Sequence, residues 1–409
     1  MPAAQTGHSR GDGHTHTQVE TDVIRGQAIA VAAGIALSLF ATAPAAAAPA
    51  DLESVVAEQL LGQTTNNRAD LSTADESDAR ITVTEEADGW AFGTAVIVAE
   101  KKEDAMPEGR LFLAKRTGKG WQVSFDSDAA FVEMSKTAPV LSKEERERFS
   151  PTAGLDGDVS VNATDLRTQM ALPWAVGQTW TMTGGPHPWG SSGAYASMDF
   201  AGGDQVVRAM RSGTAYTMCT GWVRVIHGNG YATDYYHLWS NISANGTPVS
   251  QGTYLGYTGT DVTCGGSATG RHVHIGFRIN NAYASLAQYA IGKWVPNAGA
   301  AYGGYMLHGS YRVNPGGGVY NYGALGLTQG FIDANGGGTV NQRTGPGTGY
   351  AVAGSVADGA TVTVSCSATG TSHTGRYGTS NLWNKLSNGR WIADVYLWTG
   401  VSNPVNGWC

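Results

Sequence analysis

The stretch Gly270-Arg271-His272-Val273-His274-Ile275-Gly276 constrains the fold more than any other part of the chain. Successive side chains of a strand alternate between its faces, so His272 and His274 project together from one side while Val273 and Ile275 enter a core. Two imidazoles presented from one sheet are the raw material of a metal site or an acid/base pair. Their partners must come from elsewhere in the chain.

The surrounding sequence has strand character. Apolar or alternating runs fall at 215–217, 222–227, 232–238, 253–257 and 272–279, separated by glycine turns such as Gly228-Asn229-Gly230 and Gly265-Gly266. No helical pattern interrupts them before 282–292, so the spacing predicts an antiparallel sheet. Composition agrees: 57 glycines, 17 tyrosines and 12 tryptophans against 14% charged residues suit a mainly β, loop-rich chain. At 409 residues, roughly two to four domains are expected. After a glycine-rich stretch at 303–326 the pattern resets, and 329–409 reads as a small domain of short strands.

Charge divides the chain. Residues 49–165 hold 12 Lys+Arg against 23 Asp+Glu, whereas 166–409 hold 12 against 7, with no glutamate. An acidic front joined to a basic back is the pattern of an inhibitory segment covering an enzyme that later works on an anionic surface. The acidic part opens with a helix-like segment, 51–61, and continues through apolar runs at 90–98, 110–114 and 120–125. It contains no cysteine or histidine, so it reads as an inhibitor or folding aid whose meander covers the cleft, its acidic face meeting a basic one. Residues 150–168, rich in Pro, Gly, Asp and Ser, read as an exposed linker open to proteolysis.

Upstream, the apolar stretch 28–43 follows Arg25 and precedes Ala45-Ala46-Ala47-Ala48. It is short for a membrane span and reads as a secretory signal peptide. His14-Thr15-His16 lies in the polar terminus and is not read as a site. The four cysteines form no C-x-x-C, so two disulfides in an oxidising compartment are expected. Of the three pairings, Cys219 with Cys264 and Cys366 with Cys409 keeps each bridge inside one predicted domain.

The chemistry gathers on a few side chains. His187 sits in the loop Gly184-Gly185-Pro186-His187-Pro188-Trp189, and Asp199 begins a strand twelve residues later. Gly190-Ser191-Ser192-Gly193 lets the loop fold back, and closing so short a loop costs little. His187, Asp199 and His274 can therefore converge on one ion. Two neutral imidazoles and a carboxylate, with one position left to water, make a catalytic rather than a structural zinc site. His272 is then placed as general acid or base. His237, in Tyr235-Tyr236-His237-Leu238, can enter from a neighbouring strand to stabilise an oxyanion. His227 reads as a turn residue, His308 and His373 as structural, and Tyr195, Tyr235 and Tyr236 as strand packing. Neither H-E-x-x-H nor G-x-S-x-G occurs, which argues against zincin and nucleophile-elbow hydrolases.

The ordered set from His187 and Asp199, through Val223 to Tyr231 and Tyr236-His237-Leu238, to His272-Val273-His274, resembles the lysostaphin and β-lytic type zinc metallopeptidases that cleave bacterial peptidoglycan. The resemblance covers roughly 181–279. It implies His187, Asp199 and His274 as ligands of one Zn2+ and His237 and His272 as catalytic histidines. Many members place the aspartate four residues after the first histidine; the twelve found here resemble the secreted β-lytic branch with its acidic propeptide. The tail, from Thr339 to Gly347, through 359–364, to Trp383 and Trp391-Ile392-Ala393, resembles bacterial SH3-like domains, which often bind cell walls.

The expected architecture is mainly β. A signal peptide and extension (1–48) and a small α+β acidic propeptide (49–168) precede a duplicated-hybrid-motif-like antiparallel metallopeptidase domain (169–325) and an SH3-like β-barrel (326–409). Its expected partners are peptidoglycan and its own propeptide; no nucleic acid and no lasting membrane anchor are expected, and the protein is expected to be a secreted monomer. The alternative is an inactive wall-binding or regulatory homologue, which completeness of the five-residue set disfavours.

Overall fold

A computed structural model describes residues 51–149 and 165–409. The stretch 28–43, His14-Thr15-His16 and residues 150–164 of the expected linker lie outside the described residues. The first described element, α1 (Leu52–Thr64), starts at Asp51, whose carboxylate accepts the Ser54 N–H in an N-cap. It packs Leu52, Val56 and Leu60 on a sequential antiparallel sheet of β1 (Ala79–Ala87), β2 (Trp90–Ile97), β3 (Glu108–Thr117) and β4 (Gly120–Phe125). Helices α2 (Ala129–Ser135) and α3 (Lys143–Phe149) follow. The helix-plus-meander expectation holds, with β1 as an addition.

Strand β2 is buried along its whole length, and the alternation of its side chains explains why. Ala91, Ala95 and Ile97 face α1, while Trp90, Phe92 and Val96 face a second and larger sheet. A strand covered on both sides reads as an unbroken apolar run.

The larger sheet is built from β5 (Thr179–His187), β6 (Ser197–Ala201), β7 (Gly213–Cys219), β8 (Trp222–Ile226), β9 (Tyr231–Tyr236), β10 (Thr247–Val249), β11 (Val273–Ile279), β12 (Ala282–Tyr283) and β13 (Gly318–Tyr320). Among the described residues these nine strands run in the order β10-β7-β8-β9-β11-β6-β5-β13, with β12 beside β11. One face holds the main core: Met198 and Phe200, Val223 and Val225, Tyr235, and Val273, Ile275 and Phe277. Their alternating neighbours Asp199, Arg224, Tyr236 and His274 belong to the opposite face. The expected antiparallel sheet is therefore present, and the helical pattern at 282–292 is not. That segment forms the strands Ala282–Tyr283 and Ala290–Ile291 with Gln288 at φ 75°, a left-handed backbone that an α-helix does not accommodate.

The end of the expected linker also differs. Asp165, Arg167 and Thr168 are buried, not exposed. Arg167 pairs with Asp165 at 2.6 Å, Leu166 N–H donates to Gly400 O, and Arg167–Met170 pairs with Ala290–Ile291, so the polar groups are satisfied inside.

The C-terminal part is mainly β, with one short 3-10 turn at Asp394–Tyr396. Strands β14 (Gln329–Ile332), β15 (Thr339–Arg343), β16 (Val352–Ala357), β17 (Thr361–Gly375), β18 (Gly378–Leu386), β19 (Trp391–Ala393) and β20 (Leu397–Trp398) form a sheet in the order β16-β15-β19-β18-β17-β14-β20. Both disulfides take the expected pairing, Cys219–Cys264 and Cys366–Cys409. No described helix is long and apolar enough to cross a membrane.

Candidate metal and catalytic centre

Strand β11 lies between β9 and β6, with His274 opposite Tyr236 on one side and Asp199 on the other. Directly opposed residues of antiparallel strands share a face, so the pleat delivers the Asp199 carboxylate to the His274 ring. Asp199 Oδ1 is 2.9 Å from His274 Nδ1.

His187 arrives differently. It ends β5, whose pairing with β6 slips twice, between Met182 and Gly184 and again between Gly184 and His187. Each slip is a bulge that re-aims the strand. Gly184 sits opposite Asp199, and a Cβ there would run into the carboxylate. The His187 Nδ1–H donates to Gly185 O at 2.7 Å, which leaves Nε2 directed inward. That atom lies 3.4 Å from His274 Nδ1 and 3.7 Å from Asp199 Oδ2.

The donor atoms of His187, Asp199 and His274 all fall within 4.8 Å of one another, and all three residues are buried. The contact between Asp199 and His274 is close but poorly directed, so Asp199 Oδ1 is buried without an aligned hydrogen bond. A buried carboxylate oxygen left over beside two imidazole nitrogens is a set that a divalent metal would complete. Burial lowers the His187 pKa to about 4, so its ring is neutral, as a ligand must be. For Asp199, burial pushes upward, but the His274, His187 and His272 rings outweigh it and hold the carboxyl below the ordinary range.

His237 and His272 border the same space. His237 follows β9 with φ 66°, stacks on Tyr236 at 4.3 Å, and donates Nδ1–H to Asp261 O at 2.8 Å. Its pKa falls to about 3, first through burial and then through His272 and His274. His272 donates Nδ1–H to Gly270 O at 2.7 Å, and its Nε2 is 3.7 Å from Asp199 Oδ1. Both rings thus keep Nε2 as an acceptor. The centroids are 4.8 Å apart.

Four of these residues, Asp199, His237, His272 and His274, line a cleft of about 430 Å³ together with Tyr302, which stacks on His187. The opposite wall is the β2–β3 connection, with Glu103, Asp104, Ala105 and Met106. That connection is pinned by Ala99 N–H to Cys264 O and by Gly266 N–H to Glu100 O, both at 3.0 Å. The acidic segment does meet the cleft, as expected. Its broader contact with the large sheet, however, is chiefly apolar, and the fully buried pair Arg224–Asp126, at 3.7 Å, lies within it.

Two site residues carried no sequence signal. Tyr302 stacks on His187 at 3.9 Å and donates its O–H to Asp104 at 2.9 Å, yet it lies among glycines with no strand pattern. Trp189 packs edge-on to His274 at 5.0 Å; its only hint was its place two residues after His187. Two further described histidines, His227 and His308, are packed as structural residues. His227 opens the turn after β8, its N–H donating to Tyr231 O at 2.8 Å, and its buried ring bonds Ser212 O and Thr233 Oγ1; His308 stacks on Tyr322 at 3.9 Å. Tyr235 and Tyr236 are packed inside.

The sequence model described as Peptidase family M23 matches residues 195–285, a span that takes in Asp199, His237, His272 and His274 and begins after His187. The chain is similar to Protease LasA of Pseudomonas aeruginosa, 34% identical over 143 residues, which cover 32% of this chain and 34% of that protein. The chain thus spans about a third of the length of that relative. It is also 34% identical over 99 residues to Uncharacterized protein YraJ of Bacillus subtilis, covering 22% of this chain and 84% of that one. Among solved structures, the M23 metalloprotease pseudoalterin from the deep sea shares 28% identity over 37% of this chain and 97% of its own, with a TM-score of 0.34.

Proposed function

Since this chain belongs to peptidase family M23, we propose that it is a zinc endopeptidase that hydrolyses peptide bonds of bacterial peptidoglycan, secreted as a zymogen. The observation that carries this reading is the convergence of His187, Asp199 and His274 beneath a cleft that His237 and His272 also enter. In the proposal the first three hold one zinc ion. When bound, zinc supplies a Lewis acid that polarises a carbonyl and brings the pKa of a water to about 7.

The chain's own residues do the proton work. His272, with its acceptor Nε2 facing the cleft, takes a proton from the attacking water and returns it to the leaving amine. The expected oxyanion role for His237 would need a proton on Nε2. Nδ1 already holds the proton donated to Asp261 O, and burial opposes the doubly protonated ring. The geometry therefore favours His237 as a second acceptor that orients the water. Tyr302 and Trp189 hold the rings of His187 and His274 in place.

In the same reading, 49–168 is an inhibitory propeptide, 169–325 the catalytic domain and 326–409 an SH3-like module that engages the wall. The module offers a groove of about 280 Å³ lined by Asn341, Arg343, His373, Trp383 and Tyr396. The two disulfides suit an extracellular enzyme, which we read as a monomer. Lysis of cell walls by protein freed of residues 51–149 should stop with a chelator and return with zinc. Full activity in excess chelator would overturn the proposal.

A further inference from the structure

Residues 51–149 do more than wall the cleft. The face of the large sheet that carries His274 continues across β9, β8 and β7, and there it presents Tyr216, Trp222 and Tyr236, all buried against the N-terminal sheet. A single core draws Phe92, Leu111, Phe131 and Phe149 together with those rings. Tyr216 lies edge-on to Phe92 at 5.9 Å and stacks on Phe149 at 6.4 Å. The backbone approaches equally closely: a Cβ on Gly109 would lie 2.6 Å from Trp222 Cη2.

Three hydrogen bonds cross this contact, while both Asp126 carboxylate oxygens are buried without an aligned one. Trp189 Nε1–H donates to Pro107 O at 2.8 Å, Arg224 Nη1 to Gly109 O at 3.0 Å, and Tyr216 O–H to Glu145 Oε1 at 2.9 Å. Arg224 and Asp126 meet with both side chains fully buried, so salt has no access to screen them. Residues 51–149 and 165–409 accordingly belong to one compact unit. A packed aromatic core crossed by aligned hydrogen bonds has the character of a domain interior or an obligate interface, not of a transient contact.

We propose that residues 51–149 stay bound to residues 165–409 after the chain between them is cut, so that this cut alone leaves the cleft closed and activation needs a second event that dismantles the N-terminal part. The inference rests on the zymogen reading for its consequence in activity, but not for the association itself. Release would expose the Tyr216, Trp222 and Tyr236 surface to water and deprive Arg224 of Asp126 and of the Gly109 carbonyl. The second event has a natural target in the connection 98–107, the part that borders the cleft.

The test uses the full chain with a site for a sequence-specific protease placed between Phe149 and Asp165. After cutting, both fragments are expected to elute together in size exclusion at low and at high salt, with no gain in wall hydrolysis. Separate elution overturns the association; co-elution with full hydrolysis overturns the closed cleft. Elution is read equally well on an inactive protein, so failure here is distinct from failure of the peptidase reading. Gly109→Leu, whose side chain falls on the Trp222 ring, should split the cut pair. Tyr216→Ala, which removes the ring between Phe92 and Phe149, should do the same. Unchanged co-elution of both variants would also overturn the proposal.

Discussion

Asp199 and His274 face each other across one rung of the β6–β11 ladder, with Oδ1 2.9 Å from Nδ1. His272, two residues earlier on the same face, reaches the same carboxylate oxygen only at 3.7 Å. In the proposed site the neighbours differ in role for that reason. His274→Ala and Asp199→Asn are expected to lose bound metal. His272→Ala is expected to keep it and lose about 10²–10⁴-fold in turnover. Metal content per chain, measured beside wall lysis, checks the division; equal metal loss in all three variants would sink it.

Gly184 lies under the Asp199 carboxylate with no room for a methyl group. Gly184→Ala should push the carboxylate off its rung and weaken metal binding by roughly 10–100-fold, the usual effect of disturbing a group behind a ligand. The fold should survive. Chelator competition gives the affinity, and an unchanged value would mean that Asp199 is not a ligand.

Arg224 is fully buried between Asp234, at 2.8 Å, and Asp126. Arg224→Ala takes the nearest cation from two buried carboxylates, leaving Asp234 with its Trp222 Nε1–H bond, and the expected cost is about 3–5 kcal/mol. Urea unfolding of the full chain measures it. A loss below about 1 kcal/mol, the level of an exposed pair, would show that water reaches the cluster.

Burial raises the Asp394 pKa from 3.8 to about 6, against the smaller opposing effect of its hydrogen bond from Asn384. The folded form holds a proton that the unfolded chain has already released, so stability falls as pH rises from about 4 to about 6 and levels off above. Asp394→Asn removes that loss. Its gain, on the order of 1–3 kcal/mol, should be present at neutral pH and absent near pH 4. Thermal unfolding at the two pH values decides; an equal shift at both would exclude the ionisation.

Much of the site was legible because it rests on strand alternation. His272-Val273-His274 announced its own geometry, and Asp199 is flanked by Met198 and Phe200, which alternate with it into the core. The disulfide pairing followed from keeping each bridge local. Strand β1 was not legible, since it is an edge strand with mostly exposed or half-buried side chains and so has no apolar face to advertise. Tyr302 was invisible for another reason: it is brought to His187 by the tertiary course of a glycine loop. The shared core was hidden as well. Alternation told that Phe92 and Tyr216 point inward, but a pattern along one strand does not say which element covers it. Charge counting then suggested an acidic-on-basic contact where burial of aromatic rings dominates.

The double slip in β5 has a consequence for how such sites are compared. The strand takes up two extra residues before His187, so the first ligand stands three residues beyond Gly184, the residue that pairs with Asp199, and the loop after it closes the return. Insertions and deletions in that loop can accumulate in descent while the nitrogen stays at the same point in space. For this centre, kinship between chains is better measured in ångströms than in sequence intervals.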